Sequence, residues 1–145
     1  MVCSGGFNTR KGQDMVVEAL HRITADKLKN FKIVFLGEGP DRMRVQEMAQ
    51  KYGLNEIVSF KGLVPNEEVY KYFAESNIGI LISENEGLPI SLIESIRSGL
   101  AVISTNVSGI PEVVHNGENG LLINYNYEEL VPILNSMENY NKMLN

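Results

Sequence analysis

Hydrophobic periodicity along this chain switches regularly between short apolar runs and helical stripes, and that alternation constrains the fold more than any other feature. Met1-Val2-Cys3 reads as the tail of a strand closed by Gly5-Gly6. Val16, Ala19, Leu20 and Ile23 then repeat at helical spacing over Gln13 to about Thr24. Phe31 to Leu36 is a β-rich run ended by the turn Gly37-Glu38-Gly39-Pro40. Pro40 suits the first turn of a helix that carries Val45, Met48, Ala49 and Tyr52 and stops at Gly53. A strand over Ile57–Phe60 and a loop over Lys61–Pro65 follow, and Asn66 is the expected N-cap of a helix through Val69, Tyr72 and Phe73. Ile78 to Ile82 is nearly all apolar, as a strand covered on both faces should be. The loop Ser83–Leu88, a helix Pro89–Ser98 with Gly99 after it, and the strand Ala101–Thr105 come next. Gly109–Gly120 is loop-like with a single helical turn after Pro111, Leu121–Ile123 is a short strand, and Tyr127–Leu144 a final helix. The pattern predicts an α/β fold: a doubly wound, Rossmann-like parallel sheet of about six strands, right-handed crossovers and helices on both faces.

Composition narrows the class. The chain has 145 residues, enough for one domain with a real core, and residues 1–145 are read as a single unit. Its 13 Lys and Arg stand against 18 Asp and Glu, a net charge of −5 without a basic cluster. Such a chain is poorly suited to neutralising phosphates along a duplex, so no nucleic-acid partner is expected. The lone Cys3 excludes an internal disulfide. No apolar run approaches the ~18 residues of a membrane span, and no basic stretch precedes an apolar block at the start. The expectation is a soluble intracellular domain.

In open α/β sheets, ligands sit beyond the carboxyl ends of the strands, near the point where strand order reverses. The loops to inspect are therefore Gly5–Gly12, Gly37–Pro40, Lys61–Pro65, Ser83–Pro89 and Asn106–Pro111. All five contain Gly, which serves tight turns as readily as ligand approach. Neither G-x-G-x-x-G nor G-x-x-x-x-G-K-[ST] is present. The three aspartates (Asp14, Asp26, Asp41) are scattered, no C-x-x-C or paired His suggests a metal site, and His21 and His115 carry no catalytic signature.

The distinctive segment is Ser83 to Glu94. Glu86 falls in the loop after the apolar strand, and Glu94 lies inside the next helix among Ile and Leu residues. An unpaired buried carboxylate is expensive, so Glu94 should face either solvent or hydroxyl donors. Gly87 and Pro89 set up a helix start, whose free N–H groups and positive end suit a phosphate. Arg10-Lys11-Gly12 places cations at another helix start, where the dipole disfavours them. They read either as an exposed basic pair or as the partners of an anionic ligand.

These segments together resemble the C-terminal, donor-binding half of a group 1 (family 4) retaining glycosyltransferase with the GT-B fold. The resemblance covers nearly the whole chain. It rests on Gly6…Arg10-Lys11-Gly12, Val34 to Pro40, Val58 to Val64, Glu86-Gly87-Leu88-Pro89 with Glu94 (an E-x7-E arrangement), Gly99 to Ile103, Gly109-Ile110-Pro111-Glu112 and Asn119 to Leu122. The resemblance implies catalytic roles for Glu86 and Lys11. Lys11 would contact the donor diphosphate, Glu94 the ribose hydroxyls and Glu86 the transferred sugar. The backbone of Gly87, Leu88, Pro89 and Ile90 would lie against sugar and phosphate, and the loop around Leu63 would hold the nucleobase, with Gly6 and Gly37 lining the donor site. The family commonly has an Arg five or six residues before the Lys. Here Gly5 and Gly6 stand there, leaving Arg10 as the neighbouring cation that would compensate.

Further expectations follow from the resemblance. No cofactor or metal is implied, because Lys11 and a helix N-terminus can stand in for the D-x-D ligand pair that this sequence lacks. The donor partner is a nucleotide-diphospho-sugar. The acceptor, a glycan or lipid-linked sugar, would be held by an N-terminal domain absent from this chain, so the chain alone should transfer little. Cytoplasmic location is implied, with peripheral association of the full-length protein at the inner face of the cell membrane, in polysaccharide or glycan biosynthesis. Two alternatives stay open from the residues: a stand-alone nucleotide-sugar-binding module, and half of a nucleotide-sugar epimerase.

Overall fold

A computed structural model describes residues 1–137. Within them, six strands form one sheet in the order β3-β2-β1-β4-β5-β6, every neighbouring pair parallel. They are β1 (Val2–Ser4), β2 (Ile33–Leu36), β3 (Val58–Phe60), β4 (Ile78–Leu81), β5 (Ala101–Thr105) and β6 (Gly120–Ile123). The helices are α1 (Gln13–Arg22), α2 (Ala25–Leu28), α3 (Arg42–Lys51), α4 (Asn66–Ala74), α5 (Ile90–Arg97) and α6 (Tyr127–Asn135). The order reverses between β1 and β4, where Val2 lies opposite Gly79 as the sole registered pair, against three or four pairs at each other join.

Alternation along the strands divides the core. Cys3, Ile33, Phe35, Ile78, Ile80 and Ile103 point to one face, where they meet Val16, Val17 and Leu20 of α1, Val45 and Ala49 of α3, and Leu130 and Leu134 of α6. On the opposite face Val2 and Leu36 pack with Val69 and Phe73 of α4, while Leu81 and Val102 pack with Leu92 of α5. Helices therefore cover both faces, as the apolar strands require. Polar contacts tie the first face together. The Tyr52 hydroxyl donates to Glu18 (2.7 Å), and this bond, with Arg22 also paired to Glu18, holds the Glu18 carboxyl below the usual range. Asp14 and Asp41, distant in sequence, converge on Arg44.

Several boundaries differ from the sequence reading. Helix α2 is one turn with no buried side chain, so it leaves no hydrophobic period to detect. Asn66 is the first residue of α4, not its N-cap; Pro65 holds that position without a side-chain cap. Pro40 precedes α3 by two residues, and Asp41 is the N-cap. Pro89 likewise caps α5 from outside. The expected final helix matches α6 through Asn135, and positions 138–144 of it lie outside the described residues. The turn near Pro111 is present as a 3-10 turn at Ile110–Glu112.

Candidate functional site

The loops after β1, β2 and β3 are laced together by backbone bonds. Gly5 N donates to Leu36 O (2.9 Å), Phe7 N to Glu38 O (3.0 Å) and Gly37 N to Gly62 O (2.8 Å). Phe7, almost fully buried, drives one end of the first loop into the core against Phe35 and Phe60. Gln13, also buried, donates through Nε2 to Gly6 O (3.0 Å) and fixes the other end. Between these anchors, Gly12 turns the chain into α1 at φ 58°; a Cβ there would sit 2.1 Å from Ile82 O. The contact presses the residue beside Lys11 against the end of β4.

The loop after β4 meets Lys11 from the other side. Lys11 Nζ donates to Glu86 Oε2 at 2.5 Å, with side-chain exposures of 24% and 14%. Fully buried Ser83 lies beneath, its hydroxyl within reach of Glu86 Oε2 (3.1 Å), Asn85 O (3.0 Å) and Arg10 O (3.2 Å). One hydroxyl proton serves one of these acceptors at a time. Glu84 N donates to Arg10 O (2.8 Å), and Gly109 N to Glu86 O (3.1 Å), so neighbouring loops hold the Glu84–Glu86 backbone at two points. Cys3 lies under the same region, where burial pushes its thiol up to about 12 against the opposing influence of Lys11. That thiol is not a nucleophile at neutral pH.

Helix α5 supplies the second carboxylate. Leu92 and Ser95 seat the helix on the sheet, with Ser95 Oγ close to Gly79 of β4. Glu94 is thereby turned to the flank of the helix that faces the first loop. Its Oε1 accepts from the Tyr70 hydroxyl of α4 at 3.3 Å. The result is a cleft of about 320 Å³ lined by Ser4, Gly5, Lys11, Glu86, Leu88, Ile90, Ser91 and Glu94. Ile90 and Ser91 open α5, so the positive end of that helix faces the cleft.

A second depression of about 230 Å³ adjoins the first and shares Ser4 and Gly5 with it. Gly6, Leu36, Gly37, Glu38, Leu63, Val64, Asn66 and Val69 complete it. Leu63 is 80% exposed and stands on its rim. Hollows of about 290, 450 and 520 Å³ occur at the amino ends of the strands, away from the loops where this sheet topology gathers ligands.

Most of the expected site residues thus fall at the reversal of strand order. Lys11, Glu86, Leu88, Ile90 and Glu94 share the first hollow, while Gly6, Gly37 and Leu63 share the second. Gly87 and Pro89 contribute backbone beside the first, lining neither. Arg10 differs from expectation: its side chain is exposed and borders neither hollow, and it is its carbonyl that meets the loop after β4, accepting from Glu84 N. Glu94, expected to face either solvent or hydroxyl donors, is partly exposed and accepts from the Tyr70 hydroxyl. The sequence reading missed Tyr70, Gln13, Ser83 and Ser91 as parts of the site. Gln13 and Ser83 carry a signal in hindsight, each being a polar residue at the junction of a strand-end loop and an apolar element. His21 stacks on Tyr52, and His115 lies in an exposed loop beside Glu118, both remote from the cleft. Among the described residues, no group of three or more His, Cys, Asp or Glu could hold a metal ion, and no helix is long and apolar enough to cross a membrane.

Comparison with known proteins gives a consistent result. The family model for glycosyl transferases group 1 matches residues 1–145. A putative colanic acid biosynthesis glycosyltransferase, WcaL of Salmonella typhimurium, is 30% identical over 129 residues, covering 85% of this chain and 32% of that protein. The chain therefore spans about a third of that relative's length. Among solved structures, Anabaena HepE in complex with UDP and glucose superposes with a TM-score of 0.85 at 20% identity, over 99% of this chain and 40% of HepE. The pneumococcal O-GlcNAc transferase GtfA, in complex with UDP and GlcNAc, gives 0.87 at 18% identity, over 98% of this chain and 29% of GtfA. The fold is that of one Rossmann-like half of a GT-B glycosyltransferase, and with the whole of its length matched, the chain belongs to the group 1 glycosyl transferases.

Proposed function

We propose that this chain is the donor-binding domain of a retaining, metal-independent glycosyltransferase acting in polysaccharide or glycan biosynthesis. The observation that carries the reading is the convergence of Lys11, Glu86 and Glu94 on one cleft at the reversal of strand order, beside the N-terminus of α5. HepE and GtfA, whose structures hold UDP with a sugar, share the architecture that builds this cleft.

Transfer from a nucleotide-diphospho-sugar requires that negative charge be stabilised as the diphosphate leaves and positive charge as the sugar flattens toward an oxocarbenium ion. Lys11 serves the first need: a unit charge pair at ~4 Å contributes about 4 kcal/mol at an effective dielectric of 20, before desolvation is subtracted. The end of α5 adds roughly 0.3–2 kcal/mol. Glu86 serves the second, its carboxylate lying against the sugar. Before the donor arrives, the Lys11–Glu86 pair keeps both groups compensated; on binding, Lys11 turns part of its hydrogen-bonding capacity to the diphosphate. Glu94 accepts from the ribose hydroxyls, a charge-assisted contact of about 1.5–3 kcal/mol. The second depression takes the base, largely through main-chain groups near Leu63. An acceptor glycan or lipid-linked sugar is held by a further domain, and the present chain alone transfers little.

A thermal-shift panel of UDP, GDP and ADP against their nucleosides tests the donor role. The diphosphates should raise the melting temperature, one base above the others. No shift from any member would overturn the reading. Joining the chain to a group 1 N-terminal half and assaying transfer, with and without EDTA, tests the reaction and its independence of metal.

A further inference from the structure

The proposed ribose contact leaves open what holds Glu94 in a productive rotamer. A glutamate on the flank of a helix has three side-chain torsions to fix, and each freely populated rotamer lowers the fraction competent to bind. Tyr70 addresses Glu94 from a different element. Its hydroxyl donates to Oε1 at 3.3 Å, and among the described residues Oε2 has no hydrogen-bond partner. The Tyr70 ring is itself braced, edge-on to Phe73 at 6.0 Å and 82°, with Phe73 buried in the core. Tyr70 is 51% exposed, with its ring against Phe73 and its polar tip on Glu94. Its helix neighbours Asn66 and Val69 line the second depression, so α4 borders the base subsite and reaches the ribose-binding carboxylate through Tyr70.

We propose that Tyr70 is a positioning residue for donor recognition: it holds one oxygen of Glu94, leaving the other directed at the ribose hydroxyls, and so sharpens the preference for ribonucleotides over deoxyribonucleotides. The inference rests on the ribose role of Glu94 given above. It extends that role to a residue on another helix, 24 positions away.

The test uses the 145-residue chain with whichever of UDP, GDP or ADP binds best, together with its 2′,3′-dideoxy form, and the variants Y70F, E94A and Y70F/E94A. Y70F keeps the ring on Phe73 and removes only the hydroxyl, and its melting temperature checks that the fold is retained. By calorimetry, Y70F should weaken the ribonucleotide diphosphate about threefold, leave the dideoxy form unchanged, and have no effect on top of E94A. Equal losses for both nucleotide forms would make Tyr70 merely structural and overturn the proposal. Unchanged affinity in Y70F while E94A loses at least about tenfold would overturn it too, with the role of Glu94 left standing. Unchanged affinity in both variants would remove the ribose role of Glu94 and Tyr70 with it.

Discussion

The two hollows at the strand reversal are built by opposite means. The one between β1 and β4 is made of charged side chains carried in from separate elements: Lys11 from the first loop, Glu86 from the loop after β4 and Glu94 from α5. The one beside it, over β1, β2 and β3, sets the glycine turns Gly5, Gly6 and Gly37 among Leu36, Val64, Asn66 and Val69, without a cation, and has Glu38 and a protruding Leu63 at its edge. A site that must recognise fixed charges needs side chains with few alternatives. A site that recognises a flat ring through main-chain groups needs the chain to pass close by, which only small residues permit. The contrast predicts that side-chain truncation should damage the first hollow selectively, and that adding a side chain should damage the second.

The largest effect belongs to the second hollow. Gly37 has φ 131°, and a Cβ there would lie 2.1 Å from Gly5 O, where the loops after β1 and β2 are bonded. Gly37→Ala should cost at least about 2 kcal/mol, lowering the melting temperature by roughly 4–8 °C. An unshifted melt would show that the lacing of these loops is looser than described. Next comes Lys11→Ala, which removes the cation and leaves Glu86 unpaired at 14% exposure. It should weaken nucleoside diphosphate binding by about thirtyfold, ~2 kcal/mol, while the nucleoside is hardly affected. Equal losses for both ligands in calorimetry would take Lys11 out of the phosphate contact. Glu94→Ala should cost about tenfold, ~1.4 kcal/mol, for nucleoside and nucleoside diphosphate alike, since both carry ribose. The smallest change is expected for Leu63→Ala, less than about twofold, because an exposed side chain on the rim excludes little water. A tenfold loss there would mean the base is read by side chains, and the contrast between the two hollows would fail.

Much of this is legible in the sequence alone. The β–α alternation is carried by strands such as Ile78–Leu81, buried along their whole length, and by one-sided helices such as α1. Both patterns are local and survive without tertiary context. Lys11, Glu86 and Glu94 stood out because charges near glycine turns or on an apolar helix conflict with their surroundings. The shortfalls have a common cause: they concern approaches between distant segments. Nothing near Tyr70 announces that its hydroxyl reaches Glu94, since α4 meets α5 only through the order of strands beneath them. Arg10 is adjacent to Lys11 in sequence, yet adjacent residues leave a turn in different directions, and the turn here is held by contacts from Asn8, Ser83 and Glu84 that the local sequence does not announce. Helix α2 carries no periodic signal because it is a single turn without a fully buried side chain.

The join between β1 and β4 has a wider consequence. With Val2 and Gly79 as the sole registered pair there, the two half-sheets are stitched at their carboxyl ends by Glu84 N on Arg10 O and by the Lys11–Glu86 ion pair. The mouth of the crevice therefore shares contacts with the seam of the sheet, which the core beneath α1 also spans. A guest that drew Lys11 away from Glu86 would loosen one of the ties between the two three-stranded blocks, while the apolar core beneath α1 would continue to join them. Amide exchange at Glu84, read with and without a bound diphosphate, is where that mechanical link would be visible.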